Sequence, residues 1–420
     1  MEILSYFLDY NRYLNALGIF VVLGLAYAFS RSRSHIKYRL VVSALGLQAL
    51  LAFGVLKTGI GKGIIASIAR GINHLYDYAG DGISFVFGAL ANNIGTSWGT
   101  VFAVKILPII IFFGAFMAIL FHLGIVQKVV ALLSYLVRPI LGTTGAETLC
   151  ALANSFLGQT ESPLLIRNYL DTMTKSELFV VMVSGMGTIS GSILAVYASM
   201  GVAIEHLLAS SVIAIPATIL VAKILIPETE KNTSDAVPLK AVQEETKGNI
   251  FEAVSAGTSD GLSLALNVGA MLIAFISLIA LLNGMLGGTC TQINSWFSLS
   301  LPVINLDYIF SKLFYPFALL LGFTGSDASS VAQLLGTKIA VNEFLAYHKM
   351  VGMQLPERVQ TLATYALCGF SNFSSIGIQV GGIGALVPSK RKWLTELGLA
   401  AVFGGALSNL LTALVVGLFI

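Results

Sequence analysis

The 420-residue chain is 56% apolar, carries 42 glycines and only 11% charged residues, and has a formal net charge of +3. Soluble domains carry about 25% charged residues and about 45–50% apolar residues with glycine included. So little charge cannot clothe a surface that faces water all round, which excludes a soluble enzyme, a nucleic-acid-binding protein and a disordered chain, and leaves a polytopic membrane protein; the absence of the roughly ten-residue alternating segments of a strand barrel makes it all-α.

The N-terminal stretch carries Glu2 and Asp9 and lacks a basic segment. It therefore reads as the approach to a retained span and not as a signal peptide. About 20 apolar residues cross a bilayer as a helix. Clean spans are expected at 13–30, 40–56, 104–123, 205–226, 264–286 and 398–419. Two more, at 177–200 and 358–384, are long enough but broken by glycine and small polar residues, giving eight in all. The stretch 57–103 is glycine-rich and amphipathic, and an interfacial helix is expected within it. Two semi-apolar regions, 144–170 and 325–347, contain charges that lipid would not tolerate. Each is read as a re-entrant helical hairpin, which is stable at membrane depth only when buried in protein or lining a cavity. The stretch 227–250 is polar and of mixed charge, and reads as a cytoplasmic linker.

Lysine and arginine placement sets the orientation. Arg31, Arg33, Lys37 and Arg39 lie between the first two spans, and Lys390, Arg391 and Lys392 precede the last. With both clusters cytoplasmic, eight spans put both termini outside, and Lys128, Arg138 and Lys175 also fall inside. The order of elements then repeats. Residues 1–103 are expected to form N-terminal scaffold spans and an interfacial helix region. Residues 104–226 run span, hairpin, broken span, span; after the linker 227–250, residues 251–420 repeat that order from the opposite side. Glycine-interrupted segments at matching places of an inverted repeat point to the binding site of a secondary transporter.

Four clusters could carry the chemistry. Asn154 to Pro163 reads as a hairpin tip, with Gln159 and Thr160 as hydrogen-bonding groups and Glu161 as an acceptor or proton carrier. Gly187 to Ser192 alternates glycine with hydroxyl residues. That pattern fits an unwound segment offering oxygens to a hard cation, and equally a close helix contact through Gly187 and Gly191. Glu343, after Asn342, is a second carboxylate in an apolar setting; a salt bridge to Lys338 is the plain alternative. Gly369 to Ser375 places Phe370, Asn372 and Ser375 in an apolar span, a mixture that suits a ligand with hydroxyls and a flat ring. Gly61-Lys62-Gly63 lacks the hydroxyl residue of a phosphate loop, and no nucleophile elbow or paired-histidine metal motif is present. Cys150, Cys290 and Cys368 lie far apart in apolar surroundings and read as buried small hydrophobes. Nothing points to an enzyme.

The motifs 158–163 (GQTESP), 342–347 (NEFLAY) and 366–375 (ALCGFSNFSS), with 264–288, resemble the concentrative nucleoside transporter family, bacterial sodium-coupled type. The resemblance covers the chain from about residue 80 to its end. It implies that Gln159, Thr160 and Glu161 bind the base, with Ile193 lining its pocket. Glu343, Asn372 and Ser375 would hold the ribose hydroxyls, with Phe370 beside the nucleoside. It also implies a sodium site from the side chains of Asn154 and Thr188 and the carbonyls of Leu157 and Ile189, with no other cofactor. A homotrimer in the inner membrane follows from the same likeness, with an elevator-like motion that carries nucleosides such as uridine inward. The family has proton-driven members, which leaves proton coupling through Glu161 or Glu343 as the alternative. A channel is the alternative of another class, disfavoured because filters use symmetric rings of like groups.

Overall fold

The computed structural model describes residues 2–91, 101–230, 249–297, 302 and 304–420. Most of the expected linker, 231–248, lies outside the described residues. Among the described residues all regular structure is helical. Six helical segments among the described residues are long and apolar enough to cross a membrane: Tyr38–Lys57, Phe102–His122, Lys175–Ser199, Ile204–Leu225, Ile250–Phe297 and Pro388–Gly417. The expected span at 13–30 is the 17-residue helix Arg12–Ala28, and 358–384 falls into two shorter helices, Glu357–Leu367 and Phe373–Leu386. The amphipathic stretch after the second span contains the helix Gly59–Phe87.

The span expected at 264–286 is only the middle of a 48-residue helix, Ile250–Phe297, about 72 Å long at 1.5 Å per residue. Hydropathy marks its apolar centre; the more polar start continues the helix because small residues let it lie against Leu107–His122. A Cβ on Gly257 would stand 2.5 Å from the Ala118 Cβ, and one on Gly261 would stand 2.8 Å from the Ile111 Cα. Close backbone approach through small residues is how helices associate where lipid removes the hydrophobic driving force. Most of the rest of this helix is exposed.

The remainder is a bundle around the last helix, Arg391–Gly417. That helix packs against Arg12–Ala28, Lys175–Gly187, Ile204–Leu225, Glu357–Leu367 and Phe373–Leu386. Both broken spans are bracketed by deliberate stops and starts. Thr174 and Glu177 form a capping box that opens Lys175–Gly187. Residues Thr188 and Ser190 are extended, and the Ser190 hydroxyl accepts from the Ile193 N–H to start Gly191–Ser199. In the second half, Asn372 restarts the chain by accepting from the Ser375 N–H at 3.0 Å. Such caps satisfy donors that a helix start leaves orphaned.

The hairpins are built the same way. Thr144 and Glu147 form a capping box at the start of Gly145–Asn154, and the chain returns through Ser162–Ile166. The second hairpin pairs Gly325–Ala340 with Glu343–Gly352, capped by Asn342; its return arm runs beyond the expected residue 347. The first hairpin is tied to its neighbour by a buried ion pair, Lys223 Nζ to Glu147 Oε2 at 2.7 Å. Removing one partner of such a pair typically costs about 3–5 kcal/mol, because it strands the other charge.

Candidate functional site

The first hairpin turns at Gly158, whose φ of +111° lies in the region that favours glycine. A Cβ there would also come within 3.0 Å of the Ser190 Cβ, so the tip rests on the unwound segment. Gln159 leaves this turn buried and reaches the other half of the chain. Its Nε2 donates to Ser375 Oγ at 3.5 Å, and its Oε1 accepts from Gln379 Nε2 at 3.0 Å. Gln379 also donates to the Met182 carbonyl at 3.0 Å. Thr160 packs its methyl against Gly382, where a Cβ would stand 2.9 Å away. Thr160 and Glu161 remain exposed at the tip, and Ile193 is buried in the half-helix that follows the break.

Glu343 is held from both halves. Its Oε1 accepts from the Tyr197 hydroxyl at 2.7 Å, and its Oε2 accepts from Asn372 Nδ2 at 3.0 Å. The Asn372 Oδ1 accepts from the Ser375 hydroxyl at 3.2 Å and the Ser374 hydroxyl at 2.6 Å. Tyr197 is itself fixed by ring packing on Tyr347, with centroids 4.5 Å apart. The salt bridge from Glu343 to Lys338 does not form; Lys338 turns elsewhere. Phe370 is half-buried, and its backbone N–H donates to the Thr188 carbonyl at 3.3 Å, so the two unwound segments touch.

Asn154 and Thr188 meet through Ser184. Asn154 Nδ2 donates to Ser184 Oγ at 2.9 Å, and Thr188 Oγ1 donates to the Ser184 carbonyl at 2.8 Å. The Asn154 Oδ1 is buried and has no hydrogen-bond partner among the described residues. A buried amide oxygen left unpaired is costly, and oxygen donors of this kind suit a hard cation. The donor set therefore fits sodium. Leu157 and Ile189, the carbonyl candidates, are both buried beside these two residues. Among the described residues no cluster of three His, Cys, Asp or Glu side chains could hold a metal ion.

Behind both sites lies a polar knot that the sequence reading missed. Asn409, in the last helix, donates from Nδ2 to the carbonyls of Gly187 and Cys368, both at 2.7 Å. Its Oδ1 accepts from Lys338 Nζ at 2.6 Å and from Ser371 Oγ at 3.2 Å. One buried amide thus joins the ends of both broken spans. The sequence marks none of Ser184, Tyr197, Gln379 and Asn409 as a site residue, and Lys338 only as a salt-bridge partner. Asn409 carried the clearest signal, a lone amide within an apolar span.

Three family models match along the chain: "Na+ dependent nucleoside transporter N-terminus" over residues 17–90, "Nucleoside recognition" over 103–203 and "Na+ dependent nucleoside transporter C-terminus" over 206–417. The chain belongs to the sodium-dependent nucleoside transporter family. Within this family, an uncharacterized transporter of Haemophilus influenzae is 43% identical over 412 residues, spanning 96% of this chain and 97% of its own length. Nucleoside permease NupC of Helicobacter pylori is 38% identical over 421 residues, covering 98% of each chain. The solved structure of CNTnw in an inward-facing substrate-bound state matches with a TM-score of 0.89 at 37% identity, over 97% of both chains. A CNTnw variant in an outward-facing state matches with a TM-score of 0.90 at 36% identity, over 97% of both chains. The family is one of transporters, and its fold is the all-helical membrane architecture described above.

Proposed function

We propose that the protein is a secondary active transporter that carries nucleosides such as uridine into the cell, coupled to sodium. One observation carries the reading. Two clusters 216 residues apart in the chain, the Gln159 tip and the Asn372–Ser375 helix start, meet at the Gln159–Ser375 hydrogen bond. Gln159, Thr160 and Glu161, with Ile193, form the base side. Glu343, Asn372 and Ser375 form the ribose side, with Phe370 adjoining. Carboxylate and amide groups on one side, and an amide with a hydroxyl and an apolar wall on the other, suit a ligand that is half sugar and half heterocycle.

Sodium would be held by Asn154 and Thr188 with the carbonyls of Leu157 and Ile189, and supplies a positive charge beside the tip when bound. This chain's part is geometric. The segment from Asn154 to Gly158 carries both the cation ligand and the turn that aims Gln159, so an ion that fixes the one fixes the other. A shared element of this kind makes the two ligands raise each other's affinity. The pair formed by Leu107–His122 and Ile250–Phe297 would be the scaffold in the trimer. The bundle around Arg391–Gly417, which takes in Arg12–Ala28 of the expected N-terminal scaffold, would be the body that travels through the inner membrane, with both termini outside. The division is supported by the contrast between the buried bundle and the exposed long helix.

The test is uptake of radiolabelled uridine into proteoliposomes, with an inward sodium gradient against an equal choline gradient at fixed pH. Saturable accumulation with sodium alone is expected. Uptake that ignores sodium and follows an imposed pH gradient would move the coupling to a proton on Glu161 or Glu343. Flux that neither saturates nor accumulates against a gradient would leave a channel.

A further inference from the structure

In the first half, a cation is assigned where a hairpin helix ends against the end of a half-helix. Asn154 is the last residue of Gly145–Asn154, and Thr188 is the C-cap of Lys175–Gly187. The inverted repeat creates a second such junction, where Gly325–Ala340 ends against Glu357–Leu367. Lys338 stands in the last turn of the first of these helices and is fully buried. Its Nζ donates to the carbonyl of Ala366, in the last turn of the second, at 2.9 Å, and to the Asn409 amide oxygen at 2.6 Å. These acceptors are neutral oxygens, the ligand chemistry of a sodium ion and not that of an ion pair. Half-helix C-termini present partial negative charge, so both junctions favour a positive charge.

We propose that Lys338 is a tethered cation, its ammonium filling in the second half the counterpart of the place that the coupling ion takes in the first. The comparison with the first half rests on the sodium reading above; the contacts of Lys338 do not. The second junction is then closed at all times, and the chain keeps one exchangeable cation place where the repeat alone would give two. The ribose-side residues flank the closed junction: Glu343 follows Lys338 by five residues, and Phe370 and Asn372 follow Cys368 by two and four residues. Lys338 is thus a positioning residue. It holds the ribose side assembled without an ion, while the base side waits for one. Asn409 ties the two conditions together, since its amide nitrogen binds the last carbonyl of one half-helix and the C-cap carbonyl of the other.

The experiment compares the unchanged protein with Lys338→Ala and Lys338→Met in proteoliposomes. Uridine uptake is followed at graded sodium, with and without methylammonium at equal concentration on both sides. Lys338→Ala should raise the uridine KM at least tenfold, and methylammonium should recover much of the loss, because truncation leaves room for a free amine. Lys338→Met fills the volume without the charge and should show the same loss without recovery. The unfolding midpoint of purified Lys338→Ala should rise with methylammonium, and that of the unchanged protein should not. A uridine KM within twofold of the unchanged protein in folded Lys338→Met overturns the proposal. So does Lys338→Ala whose uptake and unfolding midpoint both ignore the amine. If the unchanged protein itself ignores sodium, the reading of the first junction fails, while amine recovery still decides the role of Lys338.

Discussion

The two carboxylates of the candidate site are held in opposite ways. Glu343 is buried, and each of its oxygens accepts a hydrogen bond from a fixed partner, Tyr197 or Asn372. Glu161 stands exposed at a hairpin tip whose turn depends on one glycine. The difference separates a preorganised half-site from an adaptable one. Rigid groups already aimed at ligand hydroxyls lose little on binding, whereas an exposed side chain must be ordered by whatever binds it. A sugar shared by all nucleosides suits the rigid side, and bases of different size and hydrogen-bonding pattern suit the adaptable one.

The sharpest way to break this contrast is Glu343→Gln. The amide keeps the volume but turns one acceptor into a donor that faces the Asn372 amide or the Tyr197 hydroxyl. Hydrogen bonds to a buried charge are worth about 1.5–3 kcal/mol each, and roughly 1.4 kcal/mol is a factor of ten. Uridine kcat/KM should fall about 100-fold or more, measured as saturable uptake in proteoliposomes. A fall below fivefold would show that the rigid side does not read the sugar. The unfolding midpoint in detergent distinguishes lost recognition from lost fold.

Glu161→Gln should be milder and should depend on the base. The side chain is exposed, so the unfolding midpoint should stay within a degree or two of the unchanged protein. Uptake should fall roughly tenfold for nucleosides whose base donates to this carboxylate, about one charge-assisted hydrogen bond, and less for the others. Uniform loss across uridine, cytidine, adenosine and guanosine would mean that the tip does not read the base. A loss confined to uptake driven by a pH gradient would move Glu161 from recognition to proton coupling.

How far the sequence anticipated this arrangement depends on where each residue's signal lay. Gln159, Glu161, Glu343 and Asn372 stood out because polar groups inside apolar stretches must have a reason to be there. Thr188 stood out because glycine and hydroxyl residues alternated in mid-span. Five of the six clean spans became membrane-length helices, since length and apolarity are local properties; the sixth, at 13–30, is the 17-residue helix Arg12–Ala28. Tyr197 and Gln379 carried no such mark. A tyrosine in GSILAVYAS and a glutamine in SIGIQVGG look like ordinary helix residues. Their importance comes from partners 146 and 220 residues away, Glu343 and Gln159, which no local pattern contains. The start of the 48-residue helix was hidden for a related reason: its small and polar residues carry no hydropathy peak, and only Leu107–His122 supplies the surface that Gly257 and Gly261 pack on.

The smallest effect tests the cross-half support of the rigid side. Tyr197 belongs to the first repeat and Glu343 to the second, so their 2.7 Å hydrogen bond lets the half-helix Gly191–Ser199 of one half steady the carboxylate of the other that is proposed to hold the sugar. Tyr197→Phe removes the hydroxyl and keeps the ring on Tyr347, 4.5 Å away between centroids. Losing one of the two donors to Glu343, a bond worth about 1.5–3 kcal/mol to the fold, reaches the ligand only in part because Asn372 still holds the carboxylate, so the uridine KM should rise about three- to fivefold, roughly 1 kcal/mol. If the bond aligns Glu343 for the ribose, discrimination between uridine and its 2′- or 3′-deoxy analogues should narrow by a similar factor. A deoxy analogue that suffers as much as uridine would show that Tyr197 supports the local packing alone. The carboxylate would then owe its alignment to Asn372, on its own side of the repeat.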